Sequence, residues 1–125
     1  MVKIERKDTE KTKLAIKSLA KEKNKSSGKC NTEEVIEALE EIFHNKCYIC
    51  EGKNSTKWEV EHLIPHNKNV DLKFDWNNLF WACGYCNHIK SDEFNPILDC
   101  TKVDVDEIIS FRKVGYFGTP ESLKF

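Results

Sequence analysis

Residues 47–50 read Cys-Tyr-Ile-Cys, and residues 83–86 read Cys-Gly-Tyr-Cys, so that two Cys-x-x-Cys pairs stand 32 residues apart. This spacing lets both sulfurs of a pair reach one ion at about 2.3 Å, and four thiolates complete a closed tetrahedral zinc site. A redox function needs only one such pair in a thioredoxin-like βαβ context, which this sequence lacks. The predicted ligands of a structural Zn²⁺ ion are Cys47, Cys50, Cys83 and Cys86.

Two helices are predicted before the first cysteine pair. Between Thr9 and Lys23, apolar residues recur at roughly helical spacing among lysines. After the linker-like residues 24–29, Asn31 or Thr32 can cap a second helix. The apolar stripe of this helix consists of Val35, Ile36, Leu39, Ile42 and Phe43. The second helix should therefore lead the chain directly into the first cysteine pair.

The order strand, loop, strand and helix is predicted around the second pair. The first three elements are a strand at 58–60 that ends near 61–65, a loop at 66–76 and a strand at 79–82. A short helix from Cys86 to about Glu93 can follow before Pro96 ends it, while residues 103–125 fit either a helix or strands. The expected fold class is α+β, a small zinc-stapled finger with flanking N-terminal helices.

Composition bounds the domain organisation. The 125 residues suit one domain, which we divide into a basic helical segment with a linker (1–30), a finger domain (31–100, core 47–93) and an appendage (101–125). The first 30 residues hold ten Lys/Arg against four Asp/Glu, a net +6, which leaves ten against seventeen, a net −7, for the rest. A solvated helix face explains such lysines more simply than a phosphate contact does.

The sequence lacks the features of secreted and membrane proteins. It has no apolar run of about 20 residues and no secretory leader, so we expect a cytoplasmic protein without a membrane span. Two cysteines outside the pairs, Cys30 and Cys100, are expected to pack as small apolar residues with inert thiols.

Residues suited to phosphodiester hydrolysis lie between and after the cysteine pairs. Glu61 and His62 follow the first strand, and Asn87 follows the last cysteine. An imidazole with a reference pKa of about 6.5 suits a general base at neutral pH, so His62 is the predicted base. Glu61 and Asn87 offer oxygen ligands for a hard divalent cation. Because neighbours on a regular strand point to opposite faces, Glu61 and His62 should share a site only if the strand loses its pleat there.

Three further residues complete the predicted site. Asn78 is expected to hold the imidazole of the base in one tautomer through a backbone or side-chain contact. Lys90 lies one turn after Asn87, so its ammonium should face the same side and meet a phosphate. His88 is the alternative to Asn87 as a metal ligand.

The chain resembles the HNH endonuclease family in Glu-His-x-x-Pro at 61–65, Asn-Leu at 78–79 and Cys-Asn-x-x-Lys at 86–90, arranged around two Cys-x-x-Cys pairs. The resemblance implies a ββα-metal, treble-clef-like finger that hydrolyses DNA. The residue before the histidine and the residue after the last cysteine would bind Mg²⁺ or Mn²⁺, and the histidine would be the base. The signature positions are His62, Asn78 and Asn87. The third is Asn rather than His and the first ligand is the longer Glu, which affects the metal preference more than the reaction.

A narrower resemblance concerns residues 48–51, 74–79, 90–94 and 97–99. They look like the HNH nuclease subunit of Septu-type anti-phage systems, whose family partner is an ATPase. This resemblance implies a defence complex with an ATPase subunit. The apolar residues Leu14, Ile16 and Leu19 of the first helix would then either pack on the chain's own domain or help to dock it onto that larger subunit.

Two non-catalytic functions share the four cysteines with the nuclease hypothesis. One is a zinc finger that binds nucleic acid or a protein, and the other is a zinc-stapled adaptor. Neither requires Glu61-His62 together with Asn78 and Asn87, and this combination favours the enzyme.

Overall fold

The computed structural model describes residues 3–90 and 99–102 of the chain. Its helices are α1 (Glu10–Lys23), α2 (Glu33–Ile42), α3 (Val70–Lys73) and α4 (Gly84–Lys90), and its strands are β1 (Trp58–His62) and β2 (Leu79–Cys83). The strands form an antiparallel pair, and α4 follows β2 directly. The predicted α+β class and the order of strand, strand and helix around the second cysteine pair are confirmed.

Helices α1 and α2 begin where side-chain caps satisfy their first amides. The hydroxyl of Thr9 accepts a hydrogen bond from the amide of Thr12, and the hydroxyl of Thr32 accepts one from the amide of Val35. Glu33 lies in the first turn of α2, where a negative charge interacts favourably with the helix dipole. Both predicted helices are confirmed, and Thr32 rather than Asn31 is the cap of the second.

The buried side of α1 differs from the predicted stripe. It consists of Thr12, Ala15 and Leu19, which pack against α2, whereas Leu14 and Ile16 remain 53% and 46% exposed. Burial of Leu19 within the chain removes it from the predicted docking set. The helix therefore packs on its own domain and leaves only two of the three proposed docking residues at the surface.

The N-terminal segment before α1 joins the same core. The amide of Ile4 donates to the carbonyl of Cys100 at 2.9 Å, and Ile4 is buried. Arg6 inserts its guanidinium over the rings of Trp76 and Phe80, and it donates to the carbonyl of Leu79 at 2.6 Å. Such a cation over aromatic faces is stabilising when it is partly desolvated. Arg6 therefore has a structural role, although the sequence counts it among the basic residues.

The predicted loop at 66–76 contains two short ordered elements. Helix α3 is capped by Asn69, whose side chain accepts from two backbone amides, and the residues Trp76–Asn78 form a 3₁₀ turn capped by Asp75. The loop prediction is wrong for Val70–Lys73 and for Trp76, because asparagine and aspartate caps supply the hydrogen bonds that so short an element lacks.

The remaining expectations concern cysteines, membrane spans and the chain end. All six cysteines are free, with Cys100 buried and Cys30 half-buried, as expected for small packed side chains. No helix within residues 3–90 or 99–102 combines the length and apolar character that crossing a bilayer requires. The predicted extension of the last helix to Glu93 and the alternatives for 103–125 lie outside the described residues.

Candidate functional site

The four predicted zinc ligands come together at the junction of the first cysteine turn, β2 and α4. The sulfur atoms of Cys47, Cys50, Cys83 and Cys86 all lie within 4.8 Å of one another. The Cys50 and Cys83 sulfurs are 3.9 Å apart, close to the separation of about 3.8 Å expected for a tetrahedron with Zn–S bonds of about 2.3 Å. The donor set and its spacing therefore fit a zinc ion.

Backbone amides donate hydrogen bonds to two of these four sulfurs. The amide of Gly52 donates to the Cys50 sulfur and the amide of Cys86 donates to the Cys83 sulfur, each at 3.4 Å. The turn itself is closed by the amide of Cys47, which donates to the carbonyl of Gly52 at 3.0 Å. Such amide donors stabilise the thiolate form that binds metal.

His62 is the last residue of β1, and its ring is fixed by a backbone carbonyl. Its Nε2 lies 3.0 Å from the carbonyl oxygen of Lys73 at the end of α3. Because a carbonyl can only accept, Nε2 carries the proton and Nδ1 retains its lone pair. Burial lowers the pKa of His62, although the bond to Lys73 opposes this effect. The bond to Lys73 therefore selects a single tautomer for the neutral imidazole, and burial favours that neutral form.

Glu61 lies beside His62 in the chain and is buried in a polar network. Its Oε1 pairs with the ammonium of Lys90 at 2.8 Å, and its Oε2 accepts from the hydroxyl of Tyr48 at 2.6 Å. Burial raises the pKa of Glu61, and the bonds from Lys90 and Tyr48 act in the opposite direction. Glu61 and Lys90 are only 5% and 4% exposed. The ammonium of Lys90 is thus engaged by a carboxylate.

Asn78 clamps the chain on both sides of the histidine. Its side chain accepts from the amide of Ile64 at 2.9 Å, donates to the carbonyl of Ile64 at 2.9 Å and donates to the carbonyl of Leu72 at 3.2 Å. These bonds fix the segment that follows His62 and the helix that supplies the Lys73 carbonyl. Among the described residues, the hydrogen bonds of the Asn78 side chain thus go to backbone groups and not to the imidazole of His62.

Asn87 is placed by α4 opposite the first strand. Its amide group donates to Oε2 of Glu59, and this contact lowers the pKa of Glu59. Glu59 and Glu61 are two residues apart on β1 and so share one face of the strand. His88, the alternative ligand, is exposed and does not line the cavity that contains Asn87.

One open cavity of about 360 Å³ brings together three of the four predicted catalytic residues, Glu61, His62 and Asn87, whereas Asn78 does not line it. It is lined by Val60, Glu61, His62, Pro65, His66, Asn67, Lys68, Asn87 and Lys90. Both Glu61 and His62 reach it although both keep their register with β2, at Phe80 and Leu79. Loss of the pleat is therefore unnecessary, because the cavity lies where the strand ends and the chain turns at Pro65.

The carboxylate and amide of this cavity fit a divalent ion of the magnesium type. An ionised carboxylate has about four acceptor positions, and the Lys90 and Tyr48 bonds of Glu61 occupy two of them. The open volume leaves room for the water molecules that Mg²⁺ retains in its coordination shell.

Several neighbours of the site were missed from the sequence. His66, for which the sequence predicted no role, makes an edge contact with the His62 ring at a centroid distance of 4.7 Å. Glu59 was detectable from the alternation of the strand. The contact between the Lys73 carbonyl and His62 was not detectable from the sequence, because any residue type supplies a carbonyl at that position.

Comparison with known proteins gives two findings. Residues 47–93 match the family model of the HNH endonucleases. The chain is 40% identical over 70 residues to the Septu protein PtuB of Bacillus thuringiensis, a match that covers 51% of this chain and 27% of PtuB. No solved structure gives a significant match. The predicted resemblance to HNH endonucleases and to a Septu protein is confirmed over this region.

Proposed function

We propose that the HNH region at 47–93 is a metal-dependent endonuclease that hydrolyses phosphodiester bonds of DNA. One observation carries the proposal. The imidazole of His62 donates through Nε2 to the Lys73 carbonyl, which leaves Nδ1 as an acceptor, and His62 lines the same cavity as Glu61 and Asn87. The family match supports a nucleic acid as the substrate.

In this proposal His62 is the general base. Its Nδ1 takes a proton from a water molecule as the water oxygen forms a bond to phosphorus. One ester bond between phosphorus and oxygen breaks, and the leaving oxygen takes up a proton from solvent. Burial lowers the pKa of His62 and so favours the unprotonated Nδ1 that a base requires. The Lys73 carbonyl then stabilises the protonated ring by accepting from Nε2.

Glu61 and Asn87 are the proposed ligands of Mg²⁺ or Mn²⁺. Such an ion, when bound, supplies positive charge to a phosphate oxygen and to the leaving oxygen. Asn78 positions His62 by holding the flanking backbone. The phosphate contact predicted for Lys90 stays a prediction: Lys90 lines the cavity, and its ammonium is paired with Glu61.

A plasmid-nicking assay tests the enzyme proposal. Wild type, His62→Ala, His88→Ala and a control variant, His44→Asn, are compared with Mg²⁺, with Mn²⁺ and with a chelator. Asparagine suits the control because His44 is exposed and has a φ of 55°, which asparagine tolerates. We expect nicking by wild type, His88→Ala and His44→Asn, and none by His62→Ala or with the chelator. Wild-type protein that binds DNA without cutting it would favour the zinc-finger alternative.

We further propose that the chain acts in a defence complex with an ATPase subunit. The identity to a Septu protein supports this, and Leu14 and Ile16 on α1 are exposed apolar residues available for docking. Co-expression with a candidate ATPase encoded beside the chain tests the contact. We expect the double variant Leu14→Gln/Ile16→Gln to lose co-purification and the control Lys17→Gln, on the same helix, to keep it.

A further inference from the structure

Tyr48 connects the first cysteine pair to the cavity at the other end of the finger. It lies between the ligands Cys47 and Cys50 in the chain, yet its hydroxyl donates to Oε2 of Glu61 at 2.6 Å. The phenol is buried, and the hydrogen bond is buried with it. The contact therefore spans the interior between the predicted zinc site and the proposed ion ligand.

The position of the Tyr48 hydroxyl is fixed from several sides. The backbone amide of Tyr48 donates to the carbonyl of Trp81 on β2 at 2.9 Å. Its ring contacts Phe80 at a centroid distance of 4.8 Å and Phe43 at 6.4 Å. A side chain held by its backbone and by packing on two rings loses little further freedom when it forms a hydrogen bond.

The chemistry of the contact makes Tyr48 a donor. A carboxylate only accepts, so the phenol must donate. Burial and the negative charge of Glu61 both raise the pKa of Tyr48, which keeps the hydroxyl protonated. Lys90 donates to the other carboxylate oxygen at 2.8 Å. Two donors on opposite oxygens fix the plane of the Glu61 carboxylate and leave its other lone pairs for a ligand.

We propose that Tyr48 is a positioning residue that orients Glu61 for a divalent cation and so links the geometry of the cysteine cluster to the cavity. The inference rests on the proposed function in assigning the cation to Glu61. Glutamate has one more rotatable bond than aspartate, so its carboxylate needs more external fixation to present the same ligand geometry. Outer partners of ligating carboxylates typically contribute 10–100-fold to metal affinity.

The test measures Mn²⁺ binding to the zinc-loaded full chain, from the electron paramagnetic resonance signal of free Mn²⁺. Tyr48→Phe removes the hydroxyl and keeps the ring packing. Tyr85→Phe is the matched control, since Tyr85 is exposed on α4. Val35→Ala is the stability control, because it removes buried methyl groups from α2, which is remote from Glu61 in the chain. Glu61→Gln tests the ligand itself.

We expect Tyr48→Phe to weaken Mn²⁺ binding about 10–100-fold with unchanged zinc content. Tyr85→Phe should bind as wild type, and Val35→Ala should bind as wild type at a lower melting temperature. Nicking by Tyr48→Phe should recover as Mn²⁺ is raised. These results together separate positioning from a general loss of stability.

Two results would overturn the inference in distinguishable ways. Wild-type Mn²⁺ affinity in Tyr48→Phe, with weakened binding in Glu61→Gln, would remove the role of Tyr48 and leave the proposed function intact. Wild-type affinity in Glu61→Gln would remove the ligand assignment, and with it both the role of Tyr48 and that part of the proposed function.

Discussion

The cysteine cluster and the His62 cavity both take residues from helix α4 but are built in different ways. The cluster consists of four side chains of one type, whose sulfurs already lie within 4.8 Å of one another. The cavity depends on a backbone carbonyl at Lys73, a clamp at Asn78 and a buried ion pair between Glu61 and Lys90. The four sulfurs of the cluster converge on the position of one ion. The His62 cavity is open, so a substrate can enter it.

This difference separates stability from catalysis within one small domain. A closed set of four thiolates contributes to folding and leaves no position for a substrate. An open cavity of about 360 Å³ contributes little to folding but can admit water and a phosphate. Substitutions in the cluster should therefore affect the fold first, and substitutions in the cavity should affect the reaction first.

The largest effect is expected for Cys83→Ser. Cys83 ends β2 and contributes one of the four clustered sulfurs, and structural zinc contributes on the order of 10 kcal/mol to folding. We expect loss of zinc and loss of the cooperative unfolding transition, measured by elemental analysis and circular dichroism. Wild-type protein should carry one zinc per chain. Cys30→Ser is the control, because Cys30 is half-buried and lies outside the cluster. This variant should keep both the zinc ion and the cooperative unfolding transition. A folded, reduced wild-type protein without zinc would contradict the prediction.

His62→Ala should have the next largest effect, and on activity alone. Loss of a general base typically lowers a rate by about 10²–10⁴-fold. His62 is only partly buried at the end of β1, so zinc content and secondary structure should be unchanged. Single-turnover nicking rates and elemental analysis on the same preparation measure both effects. If the variant cuts at a near wild-type rate, His62 is not the base.

Asn78→Ala should affect both stability and activity, because this residue joins the cavity to the backbone around it. The substitution leaves the amide and carbonyl of Ile64 and the carbonyl of Leu72 without their partner. We expect a loss of about 1–3 kcal/mol in the free energy of unfolding, with a clear loss of nicking at temperatures where the variant is folded. Urea denaturation measures the first effect. Asn77→Ala, at the exposed neighbouring position, should be neutral, and equal effects of the two variants would argue against the clamp.

The two sites also differ in how far the sequence predicted them. The cluster was predicted from spacing alone, because Cys-x-x-Cys fixes which sulfurs can share an ion. Both N-terminal helices, the cap of the second helix at Asn31 or Thr32 and both strands were predicted for similar local reasons. Each of these features depends on residues that are close together in the chain, and such local patterns can be recognised from the sequence.

The parts of the structure that the sequence did not predict depend on contacts between residues distant in the chain. The carbonyl of Lys73 carries no sequence signal, because its role comes from the backbone path of α3. The hydroxyl of Tyr48 reaches Glu61 only once the first cysteine turn has packed on β2. Arg6 reads as one of many basic residues, and only the tertiary fold places it over the rings of Phe80 and Trp76.

The smallest net effect is expected for Asn87→Ala, because mass action can compensate for the loss of one metal ligand. Asn87 lines the cavity from α4, and its amide oxygen is a proposed ligand. Losing one of two protein ligands should weaken binding of the ion rather than remove the base, so nicking should recover in part as Mg²⁺ or Mn²⁺ is raised. Titration of the nicking rate with each ion should show a higher half-saturation concentration with a maximal rate near that of wild type. His62→Ala is the contrasting variant, since no concentration of the ion replaces a proton acceptor. Recovery of His62→Ala by the ion, or failure of Asn87→Ala to recover at any concentration, would contradict the division of roles between the base and the ligand.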